Sequence, residues 1–203
     1  MVERTRRQLV LASASPFRRR MLEAAGLTFE VVTADVDEAA IKRELLRSQT
    51  TPSGIAQALA AAKAEAVSAS RLETLVIGAD QVLALGLELF SKPASVSQAR
   101  QQLQCLRGKS HHLHTAAALA IGGKAVWEHV ETATLAMRPF SDAFLAGYLA
   151  EAGDRVSRTV GAYEIEGPGI PLFARIEGDT FTIIGLPLLP LLAELRARGV
   201  IDA

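Results

Sequence analysis

The sequence predicts a mixed α/β fold with a cleft, and three observations lead there. Strand-like and helix-like runs alternate through the first half, the pattern of a sheet covered by helices. Two long strand-like runs, 110–121 and 124–137, meet at Gly122-Gly123, which marks a hairpin. Two apolar runs end in polar chemistry: Leu9-Val10-Leu11-Ala12 leads into Ser13-Ala14-Ser15, and Leu75-Val76-Ile77-Gly78-Ala79 leads into Asp80. The 203 residues suffice for one large domain or two tightly joined lobes. No repeat, linker or low-complexity segment divides them, so residues 1–203 read as one domain.

In chain order, Leu9 to Ala12 is a buried strand. Ser15 suits a helix N-cap and Pro16 the first helical position, Met21, Leu22 and Ala25 share a face, and Gly26 ends the helix. Residues 29–32 read as a second strand. Thr51-Pro52 opens a long Ala-rich helix running to about Ser68. The strand that starts at Leu75 continues through Asp80 to Leu85, and a turn at 90–93 precedes a helix over 96–106. The hairpin is followed by a helix over 141–152, then by two expected strands, 171–176 and 180–184. Gly185-Leu186-Pro187 leads into an amphipathic helix ending at Arg198.

Several stretches carry chemistry. Strand, hydroxyl-rich turn and helix N-terminus make an anion site, and Arg18 and Arg19 add forked donors that suit phosphate. A capped helix with a solvated basic face is the plainer alternative. Asp35, Asp37 and Glu38 form an acidic run. Read as extended chain, Asp35 and Asp37 face one way and Glu38 the other. The run is either a loop or helix start, or a carboxylate source for Mg²⁺. Asp80 is the hardest acid to explain structurally, because charge within an apolar strand is costly unless partnered, and ligands gather at strand ends in α/β sheets. Lys63 and Lys92 by themselves read as exposed lysines. His112 and His114 share a strand face but lack a third metal ligand. Gly167 and Gly169 beside Glu166 permit close backbone approach to a ligand, or a plain turn that Glu166 caps.

Composition excludes other classes. The 22 basic and 22 acidic residues cancel, which argues against non-specific nucleic-acid or membrane-surface binding. Cys105 is the single cysteine, so neither an internal disulfide nor a thiolate zinc site is available, as suits a reducing compartment. The start, Met1 to Arg7, is charged and reads as neither signal nor membrane span, and the apolar run 183–192 is too short to cross a bilayer. A cytoplasmic protein is expected.

Taken together, the anchors Leu11-Ala12-Ser13-Ala14-Ser15-Pro16-Phe17-Arg18-Arg19, Val36-Asp37-Glu38, Ala62-Lys63-Ala64, Ile77-Gly78-Ala79-Asp80-Gln81-Val82, Lys92-Pro93, Gly161-Ala162-Tyr163 and Gly185-Leu186-Pro187 resemble the Maf family of nucleotide pyrophosphatases, from Leu9 to about Gly199. The resemblance implies an elongated two-lobed α/β fold with a mixed sheet and central cleft, similar to inosine triphosphate pyrophosphatase. It implies hydrolysis of a nucleoside triphosphate to monophosphate and pyrophosphate with a divalent metal, Mg²⁺ or Mn²⁺. Position by position, it makes Asp80 the proton acceptor and a metal ligand. Ser13, Arg18, Arg19, Lys63 and Lys92 become the phosphate-binding set, and Glu38 a metal or active-site carboxylate. Many members carry arginine, threonine and glutamine where Phe17, Gln81 and Glu166 stand. These three, with Glu-Gly-x-Gly-Ile-x-Leu-Phe at 166–173, resemble the subgroup hydrolysing 7-methyl-GTP. A dTTP/UTP pyrophosphatase is the nearest rival, and a nucleotide-responsive binding protein restraining cell division is a rival of another class. The expected partner is the triphosphate itself, with no nucleic acid or membrane, and with a homodimer left open.

Overall fold

β1 (Leu9–Ala12) is buried along its whole length and leads into α1 (Pro16–Ala24), β2 (Glu30–Val31), α2 (Glu38–Arg47) and α3 (Pro52–Ser68). Then come β3 (Leu75–Leu85), β4 (Glu88–Phe90), α4 (Val96–Leu106) and the hairpin of β5 (Ser110–Ile121) and β6 (Lys124–Met137). The chain finishes with α5 (Asp142–Ala152), β7 (Phe173–Glu177), α6 (Thr180–Ile184) and α7 (Leu188–Ala197). This computed structural model describes residues 8–202, so the charged start at 1–7 lies outside the described residues.

The seven strands form one mixed sheet in the order β2-β1-β3-β5-β6-β7, with β4 also paired to β3. β1 runs parallel to β2 and β3, and every other pairing is antiparallel. Gly122 and Gly123 both have positive φ, +56° and +78°, the backbone that a tight hairpin requires and glycine supplies at least cost.

Alternation along the strands divides the interior. Leu9, Leu11, Leu75, Ile77 and Leu119 face α1 and α7, where Met21, Leu22, Leu191 and Leu195 meet them. Val10, Ala12, Val76, Ala116, Ala118 and Ala120 point to the other face, against Ile55, Ala56, Leu59, Ala60 and Ala64 of α3. A third core gathers Leu83, Leu113, Leu135 and Met137 from the far halves of the long strands with α4, α5 and Tyr163. β3 and β5 therefore run through both ends of the molecule, and Asp80-Gln81 falls where β3 passes from one to the other. The mixed, two-ended α/β architecture expected from sequence is what the chain adopts.

α3 is rich in alanine for a geometric reason. A Cβ on Gly78 would lie 2.1 Å from the Ala60 carbonyl oxygen, so helix and strand approach to backbone contact. Only small side chains on both partners permit this.

Three expectations are corrected. Residues 180–184 form helix α6 instead of a strand, despite Thr-Phe-Thr-Ile-Ile. The Asp179 side chain accepts from Thr182 N at 3.0 Å, Gly185 ends the turn at φ +133°, and partners on β3 and β5 hold its last carbonyls. Residues 35–38 are not an extended run. Asp37 N-caps α2, accepting from Ala40 N at 2.9 Å, and Glu38 opens that helix. The strand expected at 171–176 starts later, at Phe173, after a short 3-10 turn over Ile170–Leu172.

Candidate active site

Ser15 caps α1 as its sequence position demands, accepting from Arg18 N. That turn delivers Arg18 into the middle of the molecule. Its Nε donates to Gly185 O at 2.8 Å, and its Nη1 donates to Ala79 O at 2.9 Å and Ser13 Oγ at 3.2 Å. Nη2 has no hydrogen bond among the described residues. Burial lowers the Arg18 pKa, against the opposing pull of the Asp80 and Glu38 charges. The buried Ser13 hydroxyl thus orients Arg18 and is absent from the cleft lining. Arg19 turns outward, ion-pairs with Glu23 at 2.7 Å with about 61% of its side chain exposed, and does not line the cleft.

Three elements converge opposite. Lys63 of α3 lies 2.6 Å from Asp80 Oδ1 and 2.9 Å from Glu38 Oε1, bridging the two carboxylates. Burial alone raises the Glu38 pKa. The hydrogen bond from Lys63 and the charges of Lys63, Lys42 and Arg18 outweigh that and hold it below the ordinary carboxylate value. Asp80 Oδ2 is buried and has no hydrogen-bond partner among the described residues. A buried carboxylate oxygen left unpaired is expensive, and such atoms mark sites that await a ligand or proton.

These groups line a cavity of about 320 Å³ together with Ser15, Phe17, Lys42, Gln81, Lys92 and Arg158. Five cationic side chains face two carboxylates there. Partial burial lowers the Lys92 pKa, and Arg18 and Lys63 lower it further, while Glu38 and Asp80 pull the other way. Lys42 and Arg158 escaped sequence reading. Lys42 is legible in retrospect as the residue one helical turn after Glu38.

A narrow slot of about 30 Å³ adjoins the cavity. Phe17, Gln81, Thr159, Val160 and Ile184 border both spaces, and Gly161, Tyr163 and Glu166 line the slot but not the cavity. Gln81 Nε2 donates to Thr115 Oγ1 and to the carbonyls of Thr182 and Ile183, at 2.9, 3.1 and 3.0 Å. Its donor is spent on pinning α6, and Oε1 accepts no hydrogen bond among the described residues. Glu166 is exposed, and its carboxylate makes no hydrogen bond among the described residues, so it does not cap the glycine turn.

The segment carrying Glu166 is held from behind. Ala162 takes a left-handed φ of +59°, and Tyr148 Oη donates to its carbonyl at 2.7 Å. Thr159 Oγ1 bonds both Tyr163 O and Tyr163 N, and Tyr163 Oη meets buried His111 Nε2 at 2.7 Å. Burial pushes the His111 pKa down to about 4, with a smaller push from His112, and pushes Tyr148 and Tyr163 up. His112 and His114 stack on each other, and no cluster of three metal-ligating side chains occurs among the described residues.

Comparison with known proteins follows the same lines. A family model described as Maf-like protein matches residues 8–198. The chain is 51% identical over 195 residues to a protein named 7-methyl-GTP pyrophosphatase from Brucella suis biovar 1 (strain 1330), covering 96% of this chain and 98% of that one. It is 48% identical to the protein of that name from Rhizobium meliloti (strain 1021), over the same shares. It is 52% identical over 193 residues to one named nucleoside triphosphate pyrophosphatase from Bradyrhizobium diazoefficiens, covering 95% of each. Among solved structures, a nucleoside-triphosphatase / dITP/XTP pyrophosphatase from Mycobacterium abscessus aligns over 95% of each chain with a TM-score of 0.46 and 16% identity.

Proposed function

The chain belongs to the Maf family, and on that premise we propose that it is a nucleoside triphosphate pyrophosphatase whose preferred substrate is 7-methyl-GTP. The observation that carries the reaction is Asp80: a buried carboxylate with one oxygen fixed by Lys63 and the other without a partner among the described residues, in a cleft whose charged lining is mostly cationic.

Water attacks the α-phosphorus. A bond forms from the water oxygen to that phosphorus, the bond to the bridging oxygen breaks, and pyrophosphate leaves. Asp80 Oδ2 orients the water and takes its proton. Lys63 keeps Oδ1 engaged, so the carboxylate turns only one oxygen to substrate. Arg18 offers its free Nη2, and Lys92 its ammonium, to phosphate oxygens. Arg18's other donors are fixed by Ser13, Ala79 and Gly185, so the fork is oriented before substrate arrives.

The donor set fits a divalent cation, Mg²⁺ or Mn²⁺. Two carboxylates, one with an orphaned buried oxygen, match ions that take one or two protein carboxylates and complete their shell with phosphate and water. Glu38 and Asp80 would hold it, and it would supply Lewis-acid charge to the triphosphate.

For the base, the Glu166 carboxylate accepts from N1–H and N2–H₂ of a guanine, and the positive ring of 7-methylguanine strengthens those bonds. Gln81 Oε1 adds a second acceptor, and Phe17 an aromatic face for a cationic ring. The slot admits a base only when its lining side chains shift, which unbonded Glu166 is free to do. A nucleotide substrate and a lone cysteine suit the cytoplasm. No described helix is long and apolar enough to cross a membrane.

Product analysis tests the reading. Incubation with 7-methyl-GTP and Mg²⁺ should yield 7-methyl-GMP and pyrophosphate in equal amounts. Release of 7-methyl-GDP and orthophosphate would contradict attack at the α-phosphorus, and binding without turnover would favour the nucleotide-responsive rival.

A further inference from the structure

Of the five cations lining the cleft, four already have an account. Lys63 is spent on two carboxylates, Arg18 on backbone and Ser13, Lys42 lies one helical turn from Glu38 on α2, and Lys92 belongs to the phosphate set of the family resemblance. Arg158 has none. Its side chain is exposed and makes no hydrogen bond or ion pair among the described residues. Its backbone is anchored: Arg158 N donates to Arg155 O at 3.0 Å, and the side-chain hydroxyl of the next residue, Thr159, donates to Tyr163 O and accepts from Tyr163 N.

An arginine on an anchored backbone with an unused fork is suited to a ligand of opposite charge. Its neighbours Val156 and Ala162 belong to the core built around α4 and α5, whereas Lys63 comes from α3, packed in the core at the other end of the sheet. Arg158 therefore reaches the cleft from the other lobe. It borders the cavity and not the slot, which separates it from Glu166 and the base.

We propose that Arg158 is a phosphate ligand supplied by the second lobe, which grips the phosphate chain of the substrate and the pyrophosphate that leaves. The assignment rests on the pyrophosphatase reading for its ligand but predicts a binding property of its own. One charge-assisted hydrogen bond to phosphate sets the scale, about 10-fold or more in affinity.

The probe is inorganic pyrophosphate with Mg²⁺, titrated calorimetrically into wild type, Arg158→Ala and Arg158→Lys, with KM and kcat measured on 7-methyl-GTP and GTP. The alanine variant should bind pyrophosphate about 10-fold or more weakly and raise KM for both nucleotides equally, with its melting temperature unchanged. Lysine, a point charge without the fork, should recover part of the loss. Pyrophosphate affinity within twofold of wild type in Arg158→Ala overturns the assignment and leaves the proposed reaction intact. A wild type that hydrolyses no triphosphate, with the difference in pyrophosphate affinity still present, overturns the reaction and supports Arg158 as an anion ligand.

Discussion

Gly78→Ala strikes the contact on which the site's geometry depends. The added Cβ would sit 2.1 Å from Ala60 O, 2.7 Å from Ala64 N and 2.9 Å from Ala64 Cβ, mostly backbone atoms of a helix that cannot rotate aside. Relief to an ordinary contact moves α3 away from β3 by about 1 Å or more. Overpacking of this kind costs about 1–3 kcal/mol, and a backbone clash belongs at the upper end. At about 2–4 °C per kcal/mol for a chain of this size, the melting temperature falls by roughly 6–12 °C. The same displacement carries Lys63 away from Asp80 and Glu38, which it holds at 2.6 and 2.9 Å. A misplacement of about 1 Å in a positioned group can cost on the order of 10² in rate. The assay is a thermal melt by circular dichroism, paired with kcat/KM for 7-methyl-GTP measured well below the variant's melting point. A Gly78→Ala protein with wild-type melting temperature and wild-type kcat/KM would refute the argument that helix–strand contact sets the position of Lys63.

The opposite result is expected at Gly147 on the exposed face of α5, where an added Cβ meets nothing within 4 Å. Gly147→Ala should stabilise the fold by about 0.5–1 kcal/mol, read as a small rise in melting temperature, and a fall would contradict it. Asp80→Asn should remain folded and bind nucleotide while losing roughly 10²–10⁴ in kcat, and near-normal turnover would remove Asp80 from its role. His111 resists protonation in the folded chain down to about pH 4, against an ordinary value of 6.5. Its contribution to stability is therefore present above pH 6.5 and is lost as pH falls through about 4, by roughly 3 kcal/mol at most. Melting temperatures from pH 7 to 4 should decline less steeply in His111→Gln, which does not titrate, than in wild type; parallel declines would show that His111 is not the group responsible.

Much of this architecture is legible in the residues because local and tertiary preferences agree. Thr51-Pro52 starts α3 and Gly122-Gly123 turns the hairpin, since in each place the turn chemistry and the apolar pattern ask for the same thing. Residues 180–184 fail that test: β-branched content favours a strand, but Asp179, Gly185 and the donors of Gln81 and Thr115 bind the ends of a helical turn. Those donors lie far away in sequence, so no local pattern announces them. Three residues carry too little periodicity to announce β4, and the acidic start of α2 reads equally well as a loop or a helix start. In the site, Asp80 stood out because charge in an apolar strand demands a reason, whereas Lys63 needed the family resemblance, since only the packing of α3 on β3 reveals its two carboxylate partners. Adjacent helical residues point about 100° apart, so Arg18 turns inward and Arg19 outward, a difference the Arg-Arg pair does not itself announce. Arg158 lies in an irregular segment, where periodicity says nothing about which way a side chain faces.

On the proposed function, this cleft hydrolyses 7-methyl-GTP in preference to other triphosphates because the carboxylate of Glu166 reads the base. The most direct measurement is kcat/KM for 7-methyl-GTP, GTP, dTTP and UTP in wild type and Glu166→Gln. Wild type should favour 7-methyl-GTP. The variant should lose roughly 10- to 100-fold on that substrate, the scale of a charge-assisted hydrogen bond, with far smaller changes on dTTP and UTP. An equal fall on all four nucleotides, with their ratios preserved, would contradict the claim and return Glu166 to a structural role.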